Sequence, residues 1–123
     1  MISEKEFSNN LSVVNQQIEK ACCKYGRSAQ EVTLLPVTKN WPVHAVAMCA
    51  KHGIKRVGEN RVQEAQKRWT PRRDLYAELR LHLIGPLQTN KSADAVALFD
   101  VIEVVDRPKL ARRLIAEMAR QGR

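Results

Sequence analysis

Residues 34–39 read Leu34-Leu35-Pro36-Val37-Thr38-Lys39, a short apolar run that ends on a lysine. The apolar residues from Val32 to Thr38 are nearly continuous, which is typical of a parallel strand covered on both faces. The run therefore predicts a buried strand with Lys39 at its carboxyl end. Burial disfavours the ammonium form of a lysine, so a lysine placed there can act as an amine nucleophile that forms Schiff bases with carbonyl cofactors. The alternative interpretation is that Lys39 only caps the strand and reaches solvent.

Strands and helices alternate along the rest of the chain. Ser3 and Glu6 have the spacing of a capping box ahead of an amphipathic helix, which Gly26 ends. The later hydrophobic runs predict strands at about 54–57, 79–84 and 100–105, and Asp106 is expected to cap the last helix. Alternating strands and helices imply a parallel sheet with right-handed crossovers. We therefore predict one α/β domain over residues 1–123, with a leading helix at about 3–26 and four βα units at about 32–121.

Two architectures fit this order, an open doubly wound sheet and part of a (β/α)8 barrel. Four units make half of a barrel, whose usual length is about 250 residues. The chain has no Gly-x-Gly-x-x-Gly after the first strand and no Gly-x-x-x-x-Gly-Lys-Ser/Thr, the phosphate fingerprints of open sheets. Both architectures bind ligands at the carboxyl ends of their strands. The segments at those ends are Lys39-Asn40, Gly58-Glu59-Asn60, Gly85 through Lys91, and Asp106-Arg107.

Composition narrows the classes of function. The 123 residues carry a formal net charge of +8, which allows a polyanionic partner, but aromatic residues are only 5% and do not interleave with the basic clusters. A solvated basic face is therefore the preferred interpretation, and nucleic acid is disfavoured. The three cysteines and three histidines show no ligand spacing, so we predict no metal site. The absence of a long apolar run, and a polar N-terminus unlike a signal peptide, predict a cytoplasmic protein without a membrane partner.

The strand-end segments closely resemble the YggS/PLPBP family, also called PROSC, the pyridoxal phosphate homeostasis proteins. The Gly-Glu-Asn-x-x-Gln-Glu and His-x-Ile-Gly-x-Leu-Gln-x-Asn-Lys blocks are specific, and they follow the strand-end lysine in the family's order. The resemblance covers essentially the whole chain. The matching stretches are residues 34–39, 57–65, 82–91 and 104–107.

The resemblance implies a TIM-type (β/α)8 barrel similar to the N-terminal domain of alanine racemase, of which this chain would form the first half, a parallel (βα)4 unit preceded by one helix. Family members bind pyridoxal 5′-phosphate (PLP) through a Schiff base, and Lys39 matches that lysine. By the same match, Asn60 and His82 would line the cofactor pocket. The resemblance implies a carrier in vitamin B6 homeostasis without catalytic residues. The family's phosphate-holding Ser/Gly segments, and its arginine near the pyridine nitrogen, lie in the half that this sequence lacks.

Two other functions remain open at this point. A racemase-like PLP enzyme fragment would need a second acid/base group across the cofactor, and neither Tyr25 nor Tyr76 is placed for that role. A basic interaction module would use Arg72-Arg73 and the helix face from Arg112 to Arg123. In addition, a half-barrel leaves strand edges unpaired and its inner sheet face uncovered. We therefore expect the chain to pair with another copy or with a complementary half-barrel.

Overall fold

The computed structural model describes residues 2–39 and 41–123. It divides into two compact units, one that runs up to Leu34 and one from Leu35 to Arg123. Asn40, which the sequence places beside the strand-end lysine, lies outside the described residues. The single-domain organisation inferred from the sequence stays a prediction.

The first unit is built on one long helix, α1, which spans Glu4–Lys24 and is followed by a 3-10 turn at Ala29–Glu31. The predicted capping box is confirmed, because the Ser3 hydroxyl accepts from the Glu6 amide at 3.1 Å and the Glu6 carboxylate accepts from the Ser3 amide at 2.8 Å. Gly26 follows the helix with a φ of 68°, which suits a residue without a Cβ.

The second unit contains a three-stranded parallel sheet and four helices. The strands lie side by side in chain order, β1 to β2 to β3. In chain order the elements are α2 (Val43–Lys51), β1 (Arg56–Glu59), α3 (Val62–Trp69), β2 (Arg80–Leu83), α4 (Ser92–Leu98), β3 (Val101–Ile102) and α5 (Pro108–Gln121). The predicted strands at 54–57, 79–84 and 100–105 therefore correspond to β1, β2 and β3, although the observed strands are shorter or shifted by up to two residues. The helix prediction was wrong in one detail, since the N-cap of α5 is Arg107 rather than Asp106.

The predicted strand at 32–38 does not form a full strand. Val37 makes one isolated parallel bridge to Gly58, supported by backbone hydrogen bonds from Thr38 N to Gly58 O at 3.0 Å and from Gly58 N to Pro36 O at 2.7 Å. Residues 36–38 thus lie beside β1 as a fourth parallel segment. The expectation that this run is covered on both faces was wrong, because Val37 is 37% exposed and only Thr38 is buried.

Strand register separates the two faces of the sheet. Gly58 pairs with His82, and His82 pairs with Val101, so these residues share one face, which we call the inner face. Glu59 and Leu83 are partners on the opposite face, where α3 packs. The core of the unit is made of fully buried side chains, among them Val57, Ala65, Trp69, Leu81, Leu83, Ala95 and Leu110.

No helix within residues 2–39 and 41–123 has the length and apolar character needed to cross a membrane.

Candidate functional site

Lys39 follows the bridged segment directly, in a turn at the carboxyl end of the sheet. Its side chain is exposed, and no hydrogen bond or ion pair to another described residue holds its ammonium. The partial burial expected from the sequence was therefore wrong. The structure instead leaves the amine accessible to a solute.

The backbone on both sides of Lys39 is held by the unit of β1 and α3. The Thr38 hydroxyl donates to Glu59 Oε1 at 2.7 Å, and the Arg68 guanidinium donates to the Trp41 carbonyl. Glu59 is fully buried, and its Oε1 also accepts from the Trp69 indole at 3.2 Å and lies 3.4 Å from Arg68 Nε. These contacts hold Thr38 and Trp41 against the same pair of elements, β1 and α3. The Lys39 turn is therefore fastened to rigid structure on either side.

Asn60 and Gly85 bring the ends of β1 and β2 into contact. Asn60 is half-buried after β1, and Gly85 is buried after β2. A Cβ added to Gly85 would lie 2.8 Å from the carbonyl carbon of Asn60, closer than real Cβ contacts come. Only glycine fits at this position, because the Asn60 backbone, unlike a flexible side chain, cannot rotate away from an added Cβ. Beside this contact lies a depression of about 490 Å³, lined by Asn60, Arg61, Val62, Gln63, Pro86, Leu87, Gln88 and Lys91.

Arg107 joins the loop after β3 to the loop after β2. Its Nη2 donates to the Leu87 carbonyl at 2.8 Å and to the Thr89 hydroxyl at 3.3 Å. Its Nη1 donates to Asp106 at 2.6 Å. Two of the predicted strand-end segments are thereby held together as one rim.

His82 lies deeper than the other two predicted cofactor residues. It is 6% exposed and sits level with Gly58 on the inner face. Lys39 and Asn60 each lie two residues beyond that level, which is roughly 7 Å along a strand. The structure thus brings the ends that carry Lys39 and Asn60 to one edge, with His82 one layer below them.

The imidazole of His82 makes a contact that the sequence analysis missed. Its Nδ1 lies 2.6 Å from Glu103 Oε1, whereas its Nε2 is buried and has no hydrogen-bond partner among the described residues. Glu103 interrupts the apolar run from Val101 to Val105. A charged residue inside a strand pattern was the signal that could have identified it.

The arginines that a basic interaction module would use are mostly engaged within the chain. Arg73 donates to the Tyr76 and Leu79 carbonyls and pairs with Asp100, which also lies 3.5 Å from Arg123. On α5, Arg120 pairs with Glu117 at 2.7 Å, and its hydrogen bond is the main cause that lowers the pKa of the Glu117 carboxyl. These contacts leave fewer free guanidinium groups for a polyanion than the net charge indicates.

The three cysteines are all free thiols, and burial raises the pKa of Cys49. Over the described part of the chain, no three His, Cys, Asp or Glu side chains cluster as metal ligands would.

Comparison with known proteins finds relatives both by sequence and by structure. The chain is 38% identical to the pyridoxal phosphate homeostasis protein of Escherichia coli K12 over 110 residues, which cover 89% of this chain and 47% of that protein. The structure of PipY from Synechococcus elongatus, solved with PLP bound, matches with a TM-score of 0.73 and 38% identity over 86% of this chain and 50% of that one. The crystal structure of an unknown protein from Bifidobacterium adolescentis matches with a TM-score of 0.88 and 28% identity, over 99% of this chain and 54% of that one. No family model matches. The chain thus spans about half the length of the curated relatives it matches.

Proposed function

The chain is homologous to the pyridoxal phosphate homeostasis proteins over about half of their length, and we propose from this premise that it binds PLP covalently through Lys39 and contributes to vitamin B6 homeostasis. The observation that carries the proposal is the placement of an accessible lysine amine, paired with no described residue, on a firmly held turn at the carboxyl edge of a parallel sheet. Asn60 and His82 are the further residues proposed to line the cofactor site.

We also propose that the second unit is half of a TIM-type barrel. Residues 36–38, β1, β2 and β3 follow one another across the sheet in chain order and are all parallel. A barrel adds each strand beside the previous one in this way. In a doubly wound sheet the order of the strands turns back at the switch point, although the strands stay parallel. The monotonic order therefore favours the barrel.

The residues present fit the cofactor chemically. Bound PLP would supply an aldehyde, and Lys39 is the residue whose amine would hold it, through a reversible imine linkage that forms with loss of one water. On the inner face, Nε2 of His82 is a buried polar atom without a hydrogen-bond partner in the described part of the chain. Asn60, at the carboxyl end of β1, offers both a hydrogen-bond donor and an acceptor.

We infer that the chain carries the cofactor rather than turning over a substrate. General acid/base catalysis needs a positioned group within hydrogen-bond reach of the reacting atom. Tyr25 lies at the end of α1 and Tyr76 in a 3-10 turn, so neither lies on the strand ends. A cytoplasmic location stays a prediction.

The uncovered edge of the sheet supports a pairing partner. No described strand pairs with the far edge of β3, and a depression of about 520 Å³ runs between this edge and α5. Among its lining residues, Val105, Ile115 and Met118 are 48%, 66% and 46% exposed. We propose that another half-barrel, a second copy or a complementary chain, covers this surface.

Sedimentation equilibrium of the isolated chain, with Ile115→Glu as the disrupting variant, tests whether two copies associate. Co-sedimentation with separately produced second-half chains of relatives tests whether a complementary chain binds. A monomer that binds none of them would contradict both forms.

The cofactor proposal is tested by reductive trapping. The protein is mixed with limiting PLP, reduced with borohydride, and digested for peptide mass mapping. Lys39→Arg keeps the positive charge but cannot form the linkage. Lys55→Arg is the matched control, because Lys55 is an exposed lysine just before β1, at the opposite end of the sheet.

We expect one dominant adduct on Lys39, lost in Lys39→Arg and unchanged in Lys55→Arg. Pyridoxal without its phosphate is run in parallel to measure what the phosphate adds to binding. Adducts of equal yield on Lys39 and Lys55 would mean that the amine has no privileged reactivity, and the proposed function would then be abandoned.

A further inference from the structure

Glu103 holds His82 in one orientation. The Glu103 amide donates to the Leu83 carbonyl at 3.0 Å, which anchors Glu103 beside β2. Its carboxylate Oε1 lies 2.6 Å from His82 Nδ1. An ionised carboxylate only accepts hydrogen bonds, so the hydrogen between the two groups belongs to Nδ1. In a neutral imidazole, Nε2 then carries the lone pair.

The Nε2 atom of His82 is a buried polar atom in apolar surroundings. It is buried and without a partner among the described residues, although buried polar atoms in proteins are normally hydrogen-bonded. Its neighbour in register, Gly58, has no side chain, and a Cβ there would contact Leu35, Val37 and Ile84 at 3.4–3.5 Å. The inner face beside His82 is therefore apolar. An apolar face with one directed acceptor suits a flat ring that bears a hydroxyl group.

We propose that Glu103 is a positioning residue that fixes the Nδ1–H tautomer of His82 and thereby presents Nε2 as a hydrogen-bond acceptor to a hydroxyl-bearing aromatic ring. This inference rests on the proposed function for the identity of the ring, which is the hydroxyl-bearing pyridine of PLP. The tautomer itself does not depend on the cofactor.

The tautomer is tested by long-range proton–nitrogen correlation NMR of the full chain with 15N-labelled histidine, at a pH where imidazoles are neutral. We expect the His82 hydrogen on Nδ1 in the wild type. In Glu103→Ala it should move to Nε2, the tautomer that an unconstrained histidine prefers. Glu103→Gln keeps an oxygen acceptor and should restore part of the Nδ1–H form. His44 and His52 serve as internal references that should not change.

The cofactor arm adds PLP to the same samples. Binding should shift the His82 Nε2 signal, and Glu103→Ala should weaken PLP binding about tenfold, the effect of one lost hydrogen bond. Because Glu103 is 44% exposed at its side chain, the variant should remain folded. Unchanged amide spectra away from His82 would verify this.

The outcomes separate the two proposals. The role of Glu103 is refuted if the wild-type His82 carries its hydrogen on Nε2, or if the His82 tautomer is the same in Glu103→Ala as in the wild type. A trapped adduct on Lys39 with no shift at Nε2 refutes the hydroxyl contact. The expected tautomer without any Lys39 adduct refutes the proposed function and leaves the role of Glu103 in place.

Discussion

Thr38→Val should destabilise the second unit by about 2 kcal/mol. Valine has nearly the shape of threonine, so the change removes the hydroxyl that donates to Glu59 at 2.7 Å and little else. Hydrogen bonds to charged groups contribute about 1.5–3 kcal/mol, and this carboxylate is fully buried with its Oε2 already without a partner among the described residues. The remaining donors, Trp69 at 3.2 Å and Arg68 at 3.4 Å, are longer and cannot replace it.

Urea unfolding followed by circular dichroism measures the loss. With a slope of about 2 kcal/mol per molar urea, the midpoint should fall by about 1 M. Thr70→Val is the matched control, since Thr70 is exposed on the same unit and should change stability by less than about 0.5 kcal/mol. Thr38→Ser keeps the hydroxyl and should retain most of the stability. If Thr38→Val and Thr70→Val unfold at the same midpoint, the buried carboxylate does not depend on Thr38 and the reasoning fails.

Two further variants test the rim and α5. Gly85→Ala should lower the free energy of unfolding in urea by about 3 kcal/mol, because its Cβ would overlap the Asn60 backbone. Gly58→Ala meets only ordinary contacts and should lower it by less than about 1 kcal/mol. Equal losses would contradict the close approach of Gly85 to Asn60. Since the folded state lowers the pKa of Glu117, this carboxylate stabilises the fold above its ordinary pKa, and the stabilisation is lost as pH falls through the lowered value. Glu117→Gln should therefore unfold more easily than wild type at neutral pH in thermal melts, and the gap should close in acid; a gap that persists at about pH 2 would refute this account.

Elements with strong local signals were predictable from the sequence. The capping box at Ser3 and Glu6 and the leading helix that follows it appear where their patterns place them. Such features depend on contacts between residues three or four apart, which the sequence displays directly. The three predicted site residues also fall on the strand ends or in the layer beneath them.

The misplaced features depend on partners distant in sequence. The apolar run before Lys39 reads as a buried strand, yet Val37 forms a single isolated bridge, to Gly58, among the described residues. Val37 is also 37% exposed, because coverage depends on what packs against the segment. The exposure of Lys39 follows from the same cause. The contact between Glu103 and His82 joins residues 21 positions apart, and only strand register brings them together. Periodicity carries no information about such pairs.

The two outer edges of the four-segment sheet, neither of which pairs with a described strand, have a consequence for symmetry. The outer sides of residues 36–38 and of β3 differ from each other, so a contact that joins one edge to the other is heterologous. A heterologous contact either closes into a ring or continues as a filament. Two copies would complete eight parallel segments and end the series, provided that the strand tilt brings the last edge back to the first. The curvature of this sheet would therefore determine whether association at high concentration stops at a discrete dimer or proceeds to open-ended polymers.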